Sequence, residues 1–224
     1  MKKVLVMAAG PYKYGWTEKS PKHLALVEGK PLIVRTLDQL SKRGLDNATV
    51  ITRNKNVQNV VRNYFEPSGN YWWTQTLMST QELWSDWTAI VNGDTIYSDI
   101  AMDMLAAEQG PLMFIGDSIH NEILVFTADM NSRIIAAAET ASEYAYRREA
   151  EPLSSRFALN YDQGRHTMHF VFYRSIAGLP LENLEDHIYE EKIHKLLPIK
   201  DYTHDIDRVQ QYNRFLEKHT WSRK

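Results

Sequence analysis

The chain has 224 residues, 43% hydrophobic and 24% charged, which suits one globular domain with a substantial core. A net charge of −2 argues against a nucleic acid polymer as partner, whereas a small anionic ligand needs only a few local cations. The lack of cysteine excludes disulfides, thiolate metal sites and thiol catalysis, and it fits a cytoplasmic protein. No membrane span or secretory leader is expected, because the first apolar run, Val4 to Ala9, is far short of the ~20 residues a spanning helix needs.

Val4 to Ala9 reads as a strand buried on both faces, ended by Gly10. Pro11 to Gly29 is a long polar and aromatic loop with a short extended piece at His23 to Val27. Loops of that length are often functional. Pro31 opens a helix carrying Ile33, Leu37 and Leu40, with Gly44 after it as a cap. Ala48 to Thr52 reads as a strand, and Val57, Val60, Val61, Tyr64 and Phe65 as the apolar stripe of a second helix. A helix is expected around Ser79 to Trp84, a strand at Trp87 to Asn92, and a helix capped by Ser98 or Asp99 through Ala107. Leu112 to Ile115, Ile123 to Thr127, Arg133 to Ala138 and His166 to Tyr173 read as strands. Leu184, Ile188 and Ile193 suggest a helix, and Ile206, Val209, Tyr212 and Leu216 mark a terminal one. The alternation argues for an α/β fold with a mostly parallel sheet flanked by helices, in one domain over residues 1–224. A lid or insertion is expected at about 139–165.

Three features carry chemistry. The loop after the first strand holds Gly10 and the lysines Lys13, Lys19 and Lys22, a composition suited to cradling phosphate. It is not a dinucleotide fingerprint, since no helix follows for about twenty residues. Nor is it a Walker A loop: Gly10, Gly15 and Thr17 have the spacing, but Trp16 stands where the lysine must be. Second, Gly93-Asp94 follows a buried strand, where open α/β sheets bind ligands and where one carboxylate can help hold Mg²⁺. Third, Asp201-Tyr202-Thr203-His204-Asp205-Ile206-Asp207 precedes the last helix. Thr203, Asp205 and Asp207 are accounted for by capping and by the positive first turn, which leaves Asp201 as the second carboxylate.

Together these residues resemble the nucleotidyltransferase family that makes NDP-sugars and related activated alcohols. The matching segments are Ala8-Ala9-Gly10, Pro21-Lys22, Gly29-Lys30-Pro31-Leu32-Ile33, Gly93-Asp94 and Asp201 to Ile206, in that order along nearly the whole chain. The resemblance implies a Rossmann-like, GT-A-type fold and transfer of a nucleoside monophosphate from an NTP to a small phosphorylated acceptor, with release of pyrophosphate. It places Ala8, Ala9, Gly10 and Gly93 against the nucleotide, and Lys22 on the phosphates as a catalytic residue with Asp94. Asp94 and Asp201 would hold Mg²⁺. Ser79-Thr80, with Gln75 before them, fall where the family reads the base, and Glu139 falls on the acceptor side. The chain departs from the family pattern at Tyr12 and Tyr14, which replace a glycine and an arginine, and at Thr140, which replaces a lysine. Lys13 is the candidate substitute for that arginine, and Arg147, Arg148 or Arg165 for that lysine. His23 is read as non-catalytic, because attack by a phosphate monoester needs no general base. Two rivals remain: a glycosyltransferase using an NDP-sugar, for which Asp205-Ile206-Asp207 is the one Asp-x-Asp pair, and a non-catalytic nucleotide-binding relative.

Overall fold

The structure is a computed structural model that describes residues 2–10, 12–69, 73–107, 112–117, 122–128, 131–150, 171–172, 174–176, 178, 196–199 and 201–219. Its first half comprises β1 (Lys2–Met7), a 3₁₀ turn (Lys22–Leu24), β2 (Leu26–Val27), β3 (Lys30–Pro31), α1 (Leu32–Ser41), β4 (Ala48–Ile51), α2 (Lys55–Gln58), β5 (Tyr64–Phe65) and α3 (Trp73–Met78). A second 3₁₀ turn (Gln81–Leu83) leads into β6 (Trp87–Asn92), β7 (Thr95–Ile96), α4 (Asp99–Ala107), β8 (Leu112–Asp117), β9 (Glu122–Ala128) and α5 (Asn131–Ala150). After β10 (Leu196–Ile199) and β11 (His204–Asp205), α6 (Val209–Lys218) is the last described helix.

Seven strands form the main sheet in the order β10-β8-β9-β6-β1-β4-β5. The pairs β1–β4, β1–β6, β4–β5 and β8–β10 are parallel, and β9 runs antiparallel to both neighbours. This is the expected mixed, mostly parallel sheet flanked by helices. The central strand β1 is sealed from both sides: Val4, Leu5 and Val6 are at most 1% exposed. On one face Val4, Val6, Val50, Ala89 and Val91 pack with Ile33 and Leu40 of α1 and Ala101, Met102 and Leu105 of α4. Fully burying a valine, leucine, isoleucine or methionine side chain contributes about 1.5–3 kcal/mol, and an alanine methyl less.

A second cluster lies away from the main sheet's centre. Ala25, Val27 and Leu32 meet Ile96, Ile206 and Phe215, with Trp16, Tyr202, Tyr212 and Leu216 around them. This cluster matters most for the site, because it presses the segment after β10 onto the segment leading from the first loop into α1.

Several expected elements differ. The stripe from Val57 to Phe65 is not one helix: α2 stops at Gln58, and Val50 and Thr52 donate backbone hydrogen bonds of 3.0 Å to Asn63 and Phe65, so sheet pairing with β5 takes over. Val60 and Tyr64 are left 43% and 49% exposed. Arg133 to Ala138 lies within α5 rather than a strand; Ile134, Ala137, Ala138 and Ala141 are buried at helical spacing. Of the strand expected at His166 to Tyr173, residues 171–172 are helical, as are 174–176 after it, and 166–170 and 173 lie outside the described residues. Of the helix expected around Ser79 to Trp84, only the 3₁₀ turn at Gln81–Leu83 forms, with α3 just before it, and Pro31 stands at the N-cap of α1. Ile206 falls before α6. The helix expected around Leu184 to Ile193, and 151–165 of the expected insertion, lie outside the described residues. No helix among the described residues is long and apolar enough to cross a membrane.

Candidate active site

The site is built at the carboxyl ends of β1 and β6. Gly93 lets the chain leaving β6 cross the end of β1: its N–H donates to the Met7 carbonyl at 2.8 Å. A Cβ there would stand 2.9 Å from that carbonyl oxygen and 3.1 Å from the Ala8 methyl, so the approach requires glycine. Asp94 follows immediately.

Two further carboxylates reach Asp94 through a short antiparallel pairing. In β7–β11, Asp205 is opposite Thr95 and His204 is opposite Ile96. The Ile206 N–H extends the ladder by donating to the Asp94 carbonyl at 3.0 Å. With Ile206 fully buried in the second cluster, Asp205 and Asp207 fall on either side of it, beside Asp94. One oxygen from each of Asp94, Asp205 and Asp207 lies within 4.8 Å of the others.

Lys22 enters from the first loop. Pro21 and the 3₁₀ turn fix its backbone through bonds from Leu24 to Pro21 and from Ala25 to Lys22. The buried Ala25 and Val27 then hold this turn against Ile206 and Phe215. The Lys22 ammonium forms an ion pair with Asp94 and donates to Asp207 Oδ1 at 2.7 Å. Its side chain is 14% exposed. Desolvation alone would lower its pKa, but Asp94, Asp205 and Asp207 outweigh that and raise it above the ordinary lysine value. Lys22 is therefore a permanent cation. Burial likewise pushes the Asp94 carboxyl up, and the positive charge of Lys22 prevails to hold it below the usual carboxylate range. The neighbouring His23 is 3% exposed, and its Nδ1 has no hydrogen-bond partner among the described residues. Burial, aided by Lys22 against the opposing pull of Asp94, lowers its pKa to about 4, so the imidazole is neutral at physiological pH.

Asp201, the second carboxylate of the expected metal pair, is not part of this three-carboxylate cluster. Its Oδ2 accepts from Ser98 Oγ at 2.5 Å and its Oδ1 from the Thr203 N–H at 2.7 Å. Ser98 in turn caps α4 by accepting from the Ala101 N–H at 2.9 Å. Asp201 thus ties the turn before β11 to the start of α4. Asp205 and Asp207, which the sequence places in the first turn of a helix, precede that helix, which begins only at Val209; their alternation about a buried isoleucine is the sign of a strand.

The other expected site residues are spread around this centre. Ala8 and Ala9 are buried at the end of β1, and Gly10 is exposed with open space around it. Lys13 stands 5.8 Å from the Tyr14 ring. Gln75 is half-buried in α3. The hydroxyls of Ser79 and Thr80 donate to the carbonyls of Thr76 and Leu77, at 2.8 and 2.6 Å, and so finish the end of α3. Glu139 is exposed on α5, and Thr140 donates back to Ala136 at 2.8 Å.

Two unanticipated residues anchor the first loop. Asn54, 3% exposed, accepts from the Val57 N–H at the start of α2 and donates to Tyr12 Oη at 2.5 Å and the Glu18 carbonyl at 2.9 Å. Arg53 donates to the Ala9 carbonyl at 3.2 Å and to the Ser68 carbonyl at 3.2 Å. An asparagine closing a strand and capping a helix was the legible part of that signal.

No protein-family profile and no curated protein matches the sequence. Solved structures do match in fold. A Bacillus anthracis structure assigned as a glucose-1-phosphate thymidylyltransferase has 12% identity and a TM-score of 0.53 over 100% of this chain and 97% of that one. HddC from Yersinia pseudotuberculosis, complexed with GMP-PN, has 13% identity and a TM-score of 0.52 over 97% and 99%. The bifunctional IspDF from Campylobacter jejuni has 10% identity and a TM-score of 0.54, covering 95% of this chain and 53% of its own. This chain therefore has a fold found in nucleotidyltransferases.

Proposed function

We propose that the protein is a nucleotidyltransferase that moves a nucleoside monophosphate from an NTP to a small phosphorylated acceptor, a sugar 1-phosphate or a phospho-alcohol, in the cytoplasm. The observation that carries this reading is the convergence of Lys22 with Asp94, Asp205 and Asp207 at the ends of β1 and β6. An acceptor phosphate oxygen attacks the α-phosphorus in line. The bond from that phosphorus to the bridging oxygen breaks, and its electron pair leaves on pyrophosphate. The attacking phosphate is already anionic, so no side chain takes a proton. Catalysis is then a matter of position and charge.

Three carboxylates fit a hard divalent cation, because their oxygens are hard donors and lie within 4.8 Å of one another. Asp94 and Asp207, with Asp205 beside them, are the residues that would hold Mg²⁺. Bound there, Mg²⁺ would neutralise charge on the phosphate oxygens. Lys22 supplies a fixed positive charge to the same oxygens, and Ala8 to Gly10 bring backbone close to the nucleotide. Gln75, Ser79 and Thr80 belong to the nucleotide side of this reading and Glu139 to the acceptor side.

The test is a pyrophosphate-release screen across four NTPs and a panel of phosphorylated acceptors, with and without Mg²⁺. Metal-dependent pyrophosphate formation with one nucleotide–acceptor pair supports the reading; NTP binding without turnover in any pair sinks it. One observation favours a second reading. The Asp205-Ile206-Asp207 pair belongs to the carboxylate cluster, as a glycosyltransferase using an NDP-sugar would need. Release of NDP from an NDP-sugar would identify that activity.

A further inference from the structure

Beyond the residues that the proposed reaction uses, Tyr14 stands out on the first loop. It is one of two non-glycine residues described with positive φ, at 52°, and Gly15 follows at 95°. An L side chain in the left-handed region costs energy, so the surroundings must hold it there. They do so from the far end of the chain: the Tyr14 carbonyl accepts from the Val209 N–H at 3.4 Å. A Cβ on Gly15 would stand 3.0 Å from a Val209 methyl.

This turn gathers cations. The Arg208 guanidinium carbon lies 4.8 Å from the Tyr14 ring centroid, and the Lys13 ammonium lies 5.8 Å from it. Both are within the range in which an aromatic face attracts a cation. Two positive charges drawn to one ring repel each other, and an anion relieves that repulsion. Arg208 is exposed, so its forked donors can face a ligand. It also directly follows Asp207, which holds Lys22 at 2.7 Å. The carboxylate cluster offers three negative charges against one ammonium, so a polyanion approaching Lys22 needs positive charge from outside that cluster.

We propose that Tyr14, Lys13 and Arg208 form a polyphosphate clamp, in which the ring positions the two cations and Arg208 makes the forked contact with the terminal phosphates of the nucleotide. This rests on the proposed function for the nucleotide, but the anion site can be tested separately. Tyr14 is a positioning residue, whereas Arg208 and Lys13 touch the ligand.

The experiment measures binding of inorganic tripolyphosphate, an NTP and the matching NMP by titration calorimetry. It compares the wild-type protein, Arg208→Ala, Arg208→Lys, Tyr14→Leu and Tyr14→Phe, with melting temperature as a control for folding. Arg208→Ala is expected to weaken NTP and tripolyphosphate binding at least tenfold and to leave NMP binding within twofold. Arg208→Lys should recover only part of that loss. Tyr14→Phe should bind like the wild type, and Tyr14→Leu like Arg208→Ala. Unchanged tripolyphosphate affinity in Arg208→Ala, or equal losses for NMP and NTP, overturns the clamp. Wild-type protein that binds tripolyphosphate in an Arg208-dependent way but no nucleotide overturns the nucleotidyltransferase reading and the nucleotide as the clamp's ligand, while the Arg208 anion site stands. Wild-type protein that binds neither overturns both.

Discussion

Lys22 and Asp207, 185 positions apart in the sequence, are joined by a 2.7 Å hydrogen bond between ammonium and carboxylate. The lysine also pairs with Asp94, so one half-buried cation bridges two of the three carboxylates at the site. Lys22 stands where a divalent cation would find its ligands, so cation and lysine compete for the same oxygens. Lys22→Met should bind Mn²⁺ alone at least tenfold more tightly than the wild type, measured by electron paramagnetic resonance. It should also lose about 10²–10³ in turnover, the usual effect of removing a transition-state charge contact. Unchanged Mn²⁺ affinity would show that Lys22 does not block the cation.

The two ends of the Asp201–Asp207 segment should respond differently to the same substitution. Asp207→Asn keeps the shape but removes a charge from the cluster, so turnover should fall about 10²-fold or more with little change in melting temperature. Asp201→Asn weakens the acceptor that holds Ser98 and Thr203. It should cost about 1–3 kcal/mol in denaturant unfolding, with much smaller kinetic consequences. The reverse pattern would restore Asp201 as the metal carboxylate.

Gly93→Ala tests the crossing of β6 over β1. The new methyl would meet backbone at 2.9 Å, an atom that cannot rotate away. A loss of about 1–3 kcal/mol is expected from overpacking, together with impaired activity because Asp94 shifts. A chemical denaturation curve matching the wild type would contradict the close approach.

His23 gives stability a pH dependence of known sign. Its folded pKa is lowered to about 4 from 6.5, so between these values the unfolded chain binds the proton more readily. Stability from this group is complete above pH 6.5 and declines as pH falls toward 4, by roughly 3 kcal/mol in all. Asp94, whose carboxyl is also held low, adds a loss of the same sign at still lower pH. Unfolding free energies between pH 7 and 4 should show this slope, and His23→Leu should reduce it.

How much of this was visible in the sequence depends on how local the determining contacts are. The strand Trp87–Asn92 and the helix from Asp99 to Ala107 follow from apolar runs, turn residues and the Ser98 cap, all close at hand. Asp94 was legible because it follows closely on the end of β6, and Lys22 because it lies in the long loop after β1; the two pair in the structure. The identity of the carboxylate partner was not local. It depends on β11 choosing β7 over helix formation, a decision made by Ile206 burying itself against Ala25 and Phe215. The long helix α5 is a different failure: Ile134, Ala137, Ala138 and Ala141 carry the helical spacing, but the apolar run alone looks like a strand. In Val57 to Phe65 a helical pattern was present, and sheet pairing by Val50 and Thr52 overrode it.

The pairing of Asp205 with Thr95 has a consequence for synthesis. A nascent chain that has left the ribosome only as far as residue 200 already contains β1, β4, β6 and the Lys22–Asp94 contact partners, so the parallel core can assemble. It lacks the short strand that brings two of the three carboxylates, and it lacks the Val209 N–H that holds the Tyr14 turn. The carboxylate cluster can therefore form only once the chain beyond residue 200 docks on the core, a contact of high sequence separation.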